Sequence, residues 1–474
     1  MTVIGGACHV AGSFCLFEGR NRHIFASVRQ AKDNQASLAF HRGGIIFMEQ
    51  QAIWAIVIFL LTYALIISEK IHRTLLAMVG AVLMIIFGII DQESAIHHID
   101  FNTLGLLIGM MIIVNTTAET GLFKYIGIWT ARKAKGNPVT ILWLLALITA
   151  VGSAFLDNVT TIILMVPVAF SITRQLKVKA FPFIFSLVVA SNIGGTATLI
   201  GDPPNIMIGS AVKELTFVAF LQNLAPIVIV ILAATLPLLV MMFRKSIKST
   251  PENQKNIMNI SLEGLITDQK LLVKCLTILG LTLLGFFMHQ TLHLESATVA
   301  LAGAFLLLLL TGEHVMERAF RSVEWPTIFF FVGLFVLVGG LIETGTIKRL
   351  AEWAIDLTGG DPLTTSMLIL WLSAIASSFL DNIPFVATMI PMIQDMGGMG
   401  ISNLEPLWWS LALGACLGGN GSLIGASANL IAAGMSAKEG EPISFVRFLK
   451  YGFPLMILSI LFASAYILIR YFLI

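Results

Sequence analysis

SAFLDNVTTIILMVP, residues 153–167, and SSFLDNIPFVATMIP, residues 377–391, are two copies of one pattern. Each copy sets an aspartate and an asparagine, Asp157-Asn158 and Asp381-Asn382, inside sequence that otherwise reads as lipid-facing or core helix. The aspartates lie 224 residues apart, and that offset recurs along most of the chain. Gly109, Glu119, Gly121, Trp129 and Pro138 fall on Gly333, Glu343, Gly345, Trp353 and Pro362. Further on, Gly194, Gly195, Gly201 and Asn205 fall on Gly418, Gly419, Gly425 and Asn429. The chain is an internal duplication.

Composition sets the class. With 57% hydrophobic and 12% charged residues, and a mean hydropathy of +0.89, the apolar residues form blocks long enough to cross a bilayer. The lipid bilayer is the expected surrounding. A net charge of +2 over 474 residues gives no footprint for nucleic acid. Cys8, Cys15, Cys275 and Cys416 are scattered, without a CxxC pair, so neither a disulfide framework nor a soft-metal cluster is read from them. No cofactor is expected, and the glycine-rich segments lack a Walker lysine. Residues 1–47 carry Arg20, Arg22, His23, Arg29, Lys32, Asp33, His41 and Arg42, which interrupt any apolar run, and no basic segment precedes their mild apolar start. They read as a non-native or disordered extension, with Met48 as the biological start, rather than as a signal peptide.

From Met48 the sequence predicts a first repeat over 48–243, a polar, basic, cytoplasmic linker over 244–269, and a second repeat over 270–474. Crossings are placed near 51–68, 73–90 and 101–118, followed by a surface stretch at 123–135 and a hairpin at 138–173 with its tip near Asp157. Hairpin limbs of about 15 and 13 residues rise only ~20 Å each, short of the ~30 Å hydrocarbon core, so a re-entrant hairpin is expected. The next crossing, 181–211, is interrupted by Gly194-Gly195-Thr196 and Gly201-Asp202-Pro203-Pro204-Asn205. Such residues unwind a helix at mid-membrane depth and free its backbone groups. A crossing at 217–243 ends the repeat. The second copy has crossings near 270–288, 296–312 and 325–342, a hairpin at 362–395, a broken crossing at 404–437 and a last crossing at 449–473.

Five crossings plus a hairpin make an odd count, which inserts the second copy upside down. Basic residues agree: with residue 51 outside, most Lys and Arg, including Lys70, Arg73, Arg132, Arg244 and Arg318, fall in the cytoplasm, and only Lys213, Lys348 and Arg349 fall outside. The expected fold class is therefore an all-α polytopic membrane protein, an inverted repeat with ten crossings, two re-entrant hairpins and broken helices at the midplane.

An ionisable group at such depth is expensive and marks a functional site by default. Asp157 and Asp381, with Asn158, Asn382, Thr160 and freed backbone carbonyls, offer an oxygen shell for Na⁺ or a carboxyl that carries H⁺. The same aspartates also suit helix N-caps, and the two roles can coexist. Candidate ligands in the unwound segments are Gly194, Gly195, Thr196, Asn205, Gly418, Gly419, Asn420 and Asn429. Asp202 has no acidic counterpart, since Ala426 stands at the offset; it either fixes the turn before Pro203 or touches the transported species. Glu119 and Glu343 read as turn-forming residues, and Cys416 as a small packing residue.

FLDNVTT followed by GGTATLIGDPPN resembles the ion transporter superfamily, in the branch of arsenite permeases, NhaD-type Na⁺/H⁺ antiporters and P proteins, a citrate-transporter-like domain. The resemblance runs from about residue 50 to the end. It implies a homodimer in the plasma membrane, elevator-type alternating access, and coupling to Na⁺ or H⁺. The expected activity is secondary active transport of an inorganic ion or small oxyanion or oxyacid, by Na⁺/H⁺ antiport or arsenite-type efflux. Carboxylate carriers of the superfamily have Ser-Asn-Thr at the tips. Two fixed negative charges here oppose a carboxylate unless protonated or cation-paired, so ion-coupled citrate-like symport is the alternative. An intramembrane aspartyl protease is the remote alternative, because its two aspartates need facing, unlike settings. A channel is disfavoured by hairpins that open to opposite sides.

Overall fold

The computed structural model describes residues 50–68, 70–289 and 291–473; the expected extension at 1–47 lies outside them. All regular structure among the described residues is helical. The first half comprises α1 (Gln50–Ile67), α2 (Arg73–Ile86), α3 (Gln92–His97), α4 (Phe101–Glu119), α5 (Leu122–Lys133), α6 (Pro138–Phe155), α7 (Asn158–Leu176), α8 (Phe181–Gly195), α9 (Pro203–Ala211), α10 (Phe217–Asn223) and α11 (Ala225–Phe243). A short α12 (Pro251–Met258) lies in the linker. The second half comprises α13 (Gln269–Met288), α14 (Ser296–Thr311), α15 (Glu313–Ser322), α16 (Trp325–Glu343), α17 (Thr346–Thr358), α18 (Pro362–Phe379), α19 (Asn382–Gly398), α20 (Glu405–Gly418), α21 (Ser427–Lys438) and α22 (Phe445–Leu468), which ends in a π-helical turn, Ile469–Leu473.

Helix starts follow the local chemistry. Proline occupies the first turn of α6, α8, α9, α16, α18 and α20, where its missing N–H costs nothing. Asn137 and Asp361, at the offset of 224, cap the two hairpins by accepting backbone N–H groups. The Thr364 hydroxyl and amide hold the exposed Asp361 carboxyl below the usual carboxylate range. Gly121 and Gly345, with φ of +83° and +69°, take the left-handed turn between the third long helix of each half and the surface helix after it. The adjoining glutamates secure that corner: Glu343 pairs with His98 at 3.1 Å and Glu119 with Arg318 at 3.3 Å.

The repeat is visible in packing as well as in sequence. Helices α4 and α6 match α16 and α18 to the residue, and the pairings are reciprocal: α2 packs on α16 and α14 on α4, α7 packs on α21 and α19 on α9. A Cβ added to Gly109 would stand 2.6 Å from the Ala300 carbonyl carbon, and one added to Gly333 would stand 2.6 Å from that of Ala77. The same close helix crossing is thus built twice, and small residues permit it.

Among the described residues, nine helices are long and apolar enough to cross a membrane: α1, α4, α6, α7, α11, α13, α16, α18 and α22. Three of the four hairpin limbs are in that set. Their 18, 19, 18 and 17 residues exceed the short limbs expected from the sequence. The difference lies at the hairpin mouths and tips: α6 runs unbroken to Phe155, and α7 continues through Thr173, Arg174 and Gln175 to a left-handed cap at Lys177, φ +53°. Polar residues there are good enough helix formers to extend the apolar run. The last crossing of the first half is interrupted at Leu224, between α10 and α11. The linker is held rather than loose, with Ile247 and Ile257 buried and the Ser249 hydroxyl donating to the Leu176 carbonyl at 2.7 Å.

A methyl group at either glycine crossing meets backbone that cannot swing aside. Gly109→Ala and Gly333→Ala are each expected to lower stability by roughly 1–3 kcal/mol. Gly280→Ala, which meets nothing within 4 Å, leaves stability unchanged or raises it through helix propensity. Thermal unfolding in detergent ranks the three; equal midpoints would show that the crossing is not tight.

Candidate ion-binding site

Both tips are helix N-termini. Asp157 caps α7, accepting the Thr160 amide at 2.8 Å and the Thr160 hydroxyl at 2.5 Å. Asp381 caps α19, accepting the Ile383 amide at 3.3 Å, but its other oxygen leaves the helix. That oxygen meets the Arg73 guanidinium and the Ser427 hydroxyl, the latter at 2.8 Å.

The helices of the two broken crossings stop and restart around residues 196–202 and 419–426. Gly194 and Gly418 lie against the first limb of their own hairpin, where a Cβ would come within 2.0 Å and 2.6 Å of the Ala150 and Ala374 carbonyl oxygens. Gly195 and Gly201 face each other's backbone, as do Gly419 and Gly425. Asn205 and Asn429, fully buried, act as staples. The Asn205 amide donates to the Thr196 and Thr198 carbonyls at 3.2 and 2.9 Å, and the Asn429 amide to those of Gly419 and Ser422 at 2.7 and 2.8 Å. Their oxygens are also engaged, by the Cys416 thiol at 3.4 Å and the Asn192 amide at 3.0 Å. The Thr196 hydroxyl donates back to the Asn192 carbonyl at 2.8 Å.

Side-chain hydrogen bonds then join the tips to the broken crossings in two separate sets. Asn158 of the first tip donates to Asn192 at 3.3 Å, and Asn192 donates to Asn420 and Asn429 of the second broken crossing, both at 3.0 Å. Asn382 of the second tip donates to Asp202 of the first broken crossing at 3.3 Å. Asp202 is wholly buried and lies within electrostatic reach of both Asp157 and Asp381. Among the described residues, its second oxygen, the Asn158 side-chain oxygen and the Thr161 hydroxyl are buried without a hydrogen-bond partner. Unpartnered acceptors at this depth are costly unless something supplies positive charge or a proton.

Among the described residues, no group of three or more His, Cys, Asp or Glu side chains is placed to hold a metal ion. A cation at either tip would be held by a carboxylate with amide, hydroxyl and carbonyl oxygens, the donor set of a hard ion. Two cavities reach the region. One, of 570 Å³, is lined by His72, Arg73, Glu324, Thr327, Asp381 and Ser427, at the starts of α16 and α19. The other, of 380 Å³, is lined by His97, His98, Asp100, Phe335, Ile342 and Gln394, toward the far ends of the same two helices.

Sequence reasoning missed three members. In the sequence Arg73 reads as one of the loop charges, yet its side chain lines the larger of the two cavities. Asn192, the hub of the cluster, is a lone amide in an apolar helix. Glu324 lines the Arg73 cavity and lies within electrostatic reach of Asp157 and Arg73. Overlaying the copies would have flagged the first two, since Ala297 and Cys416 stand at their offset positions.

Residues 63–414 match the citrate transporter family. A 46 kDa membrane protein of Mycobacterium leprae is 41% identical over 88% of this chain and 98% of its own length. An uncharacterized transporter of Mycobacterium tuberculosis is 41% identical over 89% of this chain and 99% of its own length. The human P protein is 34% identical over 94% of this chain, which spans 63% of that longer protein. Among solved structures, the YdaH transporter of Alcanivorax borkumensis aligns with a TM-score of 0.54 over 88% of this chain and 97% of its own, at 14% identity, a likeness of fold.

Asn192→Ala would orphan groups on Asn158, Asn420 and Asn429 at once. The expected loss is at least about 1–3 kcal/mol, the cost of one buried unpaired group. Cys416→Ala, at the matching position, removes a single weak S–H bond and is expected to cost less. Thermal unfolding of the two variants in detergent checks the order, and an unaffected Asn192→Ala would remove Asn192 as the hub.

Proposed function

The chain belongs to the citrate transporter family and is a secondary transporter in a multi-pass membrane setting rather than an enzyme; we propose that it is coupled to Na⁺ or H⁺ through Asp157 and Asp381. The proposed cargo is an inorganic ion or a small oxyanion or oxyacid. The observation that carries this reading is that each acidic tip meets a broken crossing through buried polar side chains, the first through Asn158 and Asn192 and the second through Asn382 and Asp202. A cation or proton arriving at one tip changes the charge seen by the rest of the cluster.

The proposed movement is an elevator step. The halves, 48–243 and 270–474, insert in opposite senses, and the hairpins and broken crossings shift as one body against the remaining helices in a homodimer. Cavities at opposite ends of α16 and α19 suit access from alternate sides. Neutralising the carboxylates makes the step feasible, because an uncompensated buried charge costs several kcal/mol. A second reading, cation-coupled carboxylate symport, is favoured by Arg73, whose guanidinium geometry suits a carboxylate, and by the description of the family.

Purified full-length chain in liposomes, under imposed Na⁺ or pH gradients, tests the reading with Na⁺, arsenite and citrate as cargoes. Asp157→Asn and Asp381→Asn are each expected to reduce gradient-driven flux roughly 5–150-fold, the usual span of a coupling free energy. Coupled flux at the unaltered level in both variants would defeat the assignment.

A further inference from the structure

The two acidic tips, equivalent in sequence, have unlike surroundings. At the second tip, one guanidinium nitrogen of Arg73 reaches both the Asp381 carboxylate and the Ser427 hydroxyl, the latter at 2.5 Å. The guanidinium carbon lies 4.9 Å from the centre of the Phe330 ring, a cation–π contact. At the first tip every part of that cradle is missing. The offset of 224 places Ala297, Pro203 and Leu106 where the second tip has Arg73, Ser427 and Phe330. Among the described residues, the Asp157 carboxylate is bonded only to its own helical turn, through Thr160.

Arg73 reaches Asp381 from outside the hairpin. It begins α2, which packs on α16, whereas Asp381 and Ser427 begin α19 and α21. Its side chain is 25% exposed and lines the 570 Å³ cavity. A positive group thus sits on the carboxylate that a coupling ion needs, held by a flexible stem beside that cavity. One carboxylate oxygen cannot serve both a guanidinium and a second cation at full strength.

We propose that Arg73 is a tethered cation that fills the second tip's site, so that a coupling ion, Na⁺ or a proton, binds Asp381 only by displacing it. This rests on the reading of Asp381 as a coupling carboxylate. Its consequence is that the tips are unequal: the first exchanges its ion freely, and the second does so against an internal competitor. An empty carrier then has its second tip already neutralised. His72 and Glu324 face the same cavity, Tyr63 and Asp202 lie within electrostatic reach of Asp381, and Glu324 also senses Asp157. With so many ionisable groups around the site, the competition is read cleanly by varying Na⁺ at constant pH.

The test uses the full chain in liposomes. Half-saturating Na⁺ is measured at constant pH, and half-saturating H⁺ is measured with a pH dye in Na⁺-free buffer; the responding arm identifies the ion. Arg73→Gln is expected to lower the half-saturating concentration roughly 5–150-fold, and Arg73→Lys to stay near the unaltered protein. Should Arg73→Gln fail to fold, Ser427→Ala, which removes one of the guanidinium's two acceptors, is expected to shift the value in the same direction by less. An unchanged or raised half-saturating concentration for both ions in Arg73→Gln, or in Ser427→Ala where it stands in, overturns the proposal. Asp381→Asn separates the two failures: retained coupling there defeats the coupling role of Asp381 itself, while lost coupling with an unmoved value in Arg73→Gln defeats only the tethered cation.

Discussion

Backbone hydrogen bonding in a medium without water governs this structure. A helix that unwinds inside a bilayer exposes carbonyls and amides that lipid cannot satisfy. Asn205 and Asn429 meet that demand by donating into the carbonyls of the segments they follow. The glycines before them let those segments lie directly on the first limb of each hairpin. Without such staples the breaks would cost several kcal/mol per orphaned group, and the polar cluster would have no fixed wall. The asparagines therefore belong to the frame of the site, and their oxygens are already occupied by the Cys416 thiol and the Asn192 amide.

The frame was largely legible in the residues. Apolar blocks, paired glycines, prolines and the constant offset located the long helices of both halves, because each acts through local sequence that needs no tertiary context, while the short α3, α12 and α15 were not read. Limb lengths were less legible. Thr173-Arg174-Gln175 looks like an exit from the membrane, yet the backbone stays helical to the cap at Lys177. Arg73 was misread for a related reason: a basic residue opening an apolar run is the ordinary mark of a loop. Only the fold brings it to a residue 308 positions away. Asn192 lacked any pattern, because one amide among apolar neighbours carries no periodic signal, and its role depends on what α8 faces.

Duplication shaped the frame symmetrically and left the site asymmetric. The helix crossings at Gly109 and Gly333, the capped hairpins and the stapled breaks occur in matched pairs. The departures gather around the tips: Arg73 against Ala297, Asn192 against Cys416, Asp202 against Ala426, and Ser427 against Pro203. Matched scaffolds give the two tips similar positions, and unmatched side chains give them different chemistry. A protein whose tips were chemically identical would have no internal reason to treat them differently.

Charge balance carries the argument one step further. Asp202 lies within electrostatic reach of Asp157 and Asp381, and Glu324 within reach of Asp157; among the described residues Arg73 is the only basic group in an ion pair with any of these four. Fully ionised, the group would hold a threefold excess of negative charge. Bringing even one uncompensated carboxylate into a low-dielectric interior costs several kcal/mol, and like charges at close range add to that. On the proposed transport reading, protons or cations accompany the cluster whenever it is cut off from water, and Asp202, buried between the tips with one oxygen unpartnered, has the greatest need. The number that accompany it need not match the number of acidic tips, since Arg73 already answers for one of them.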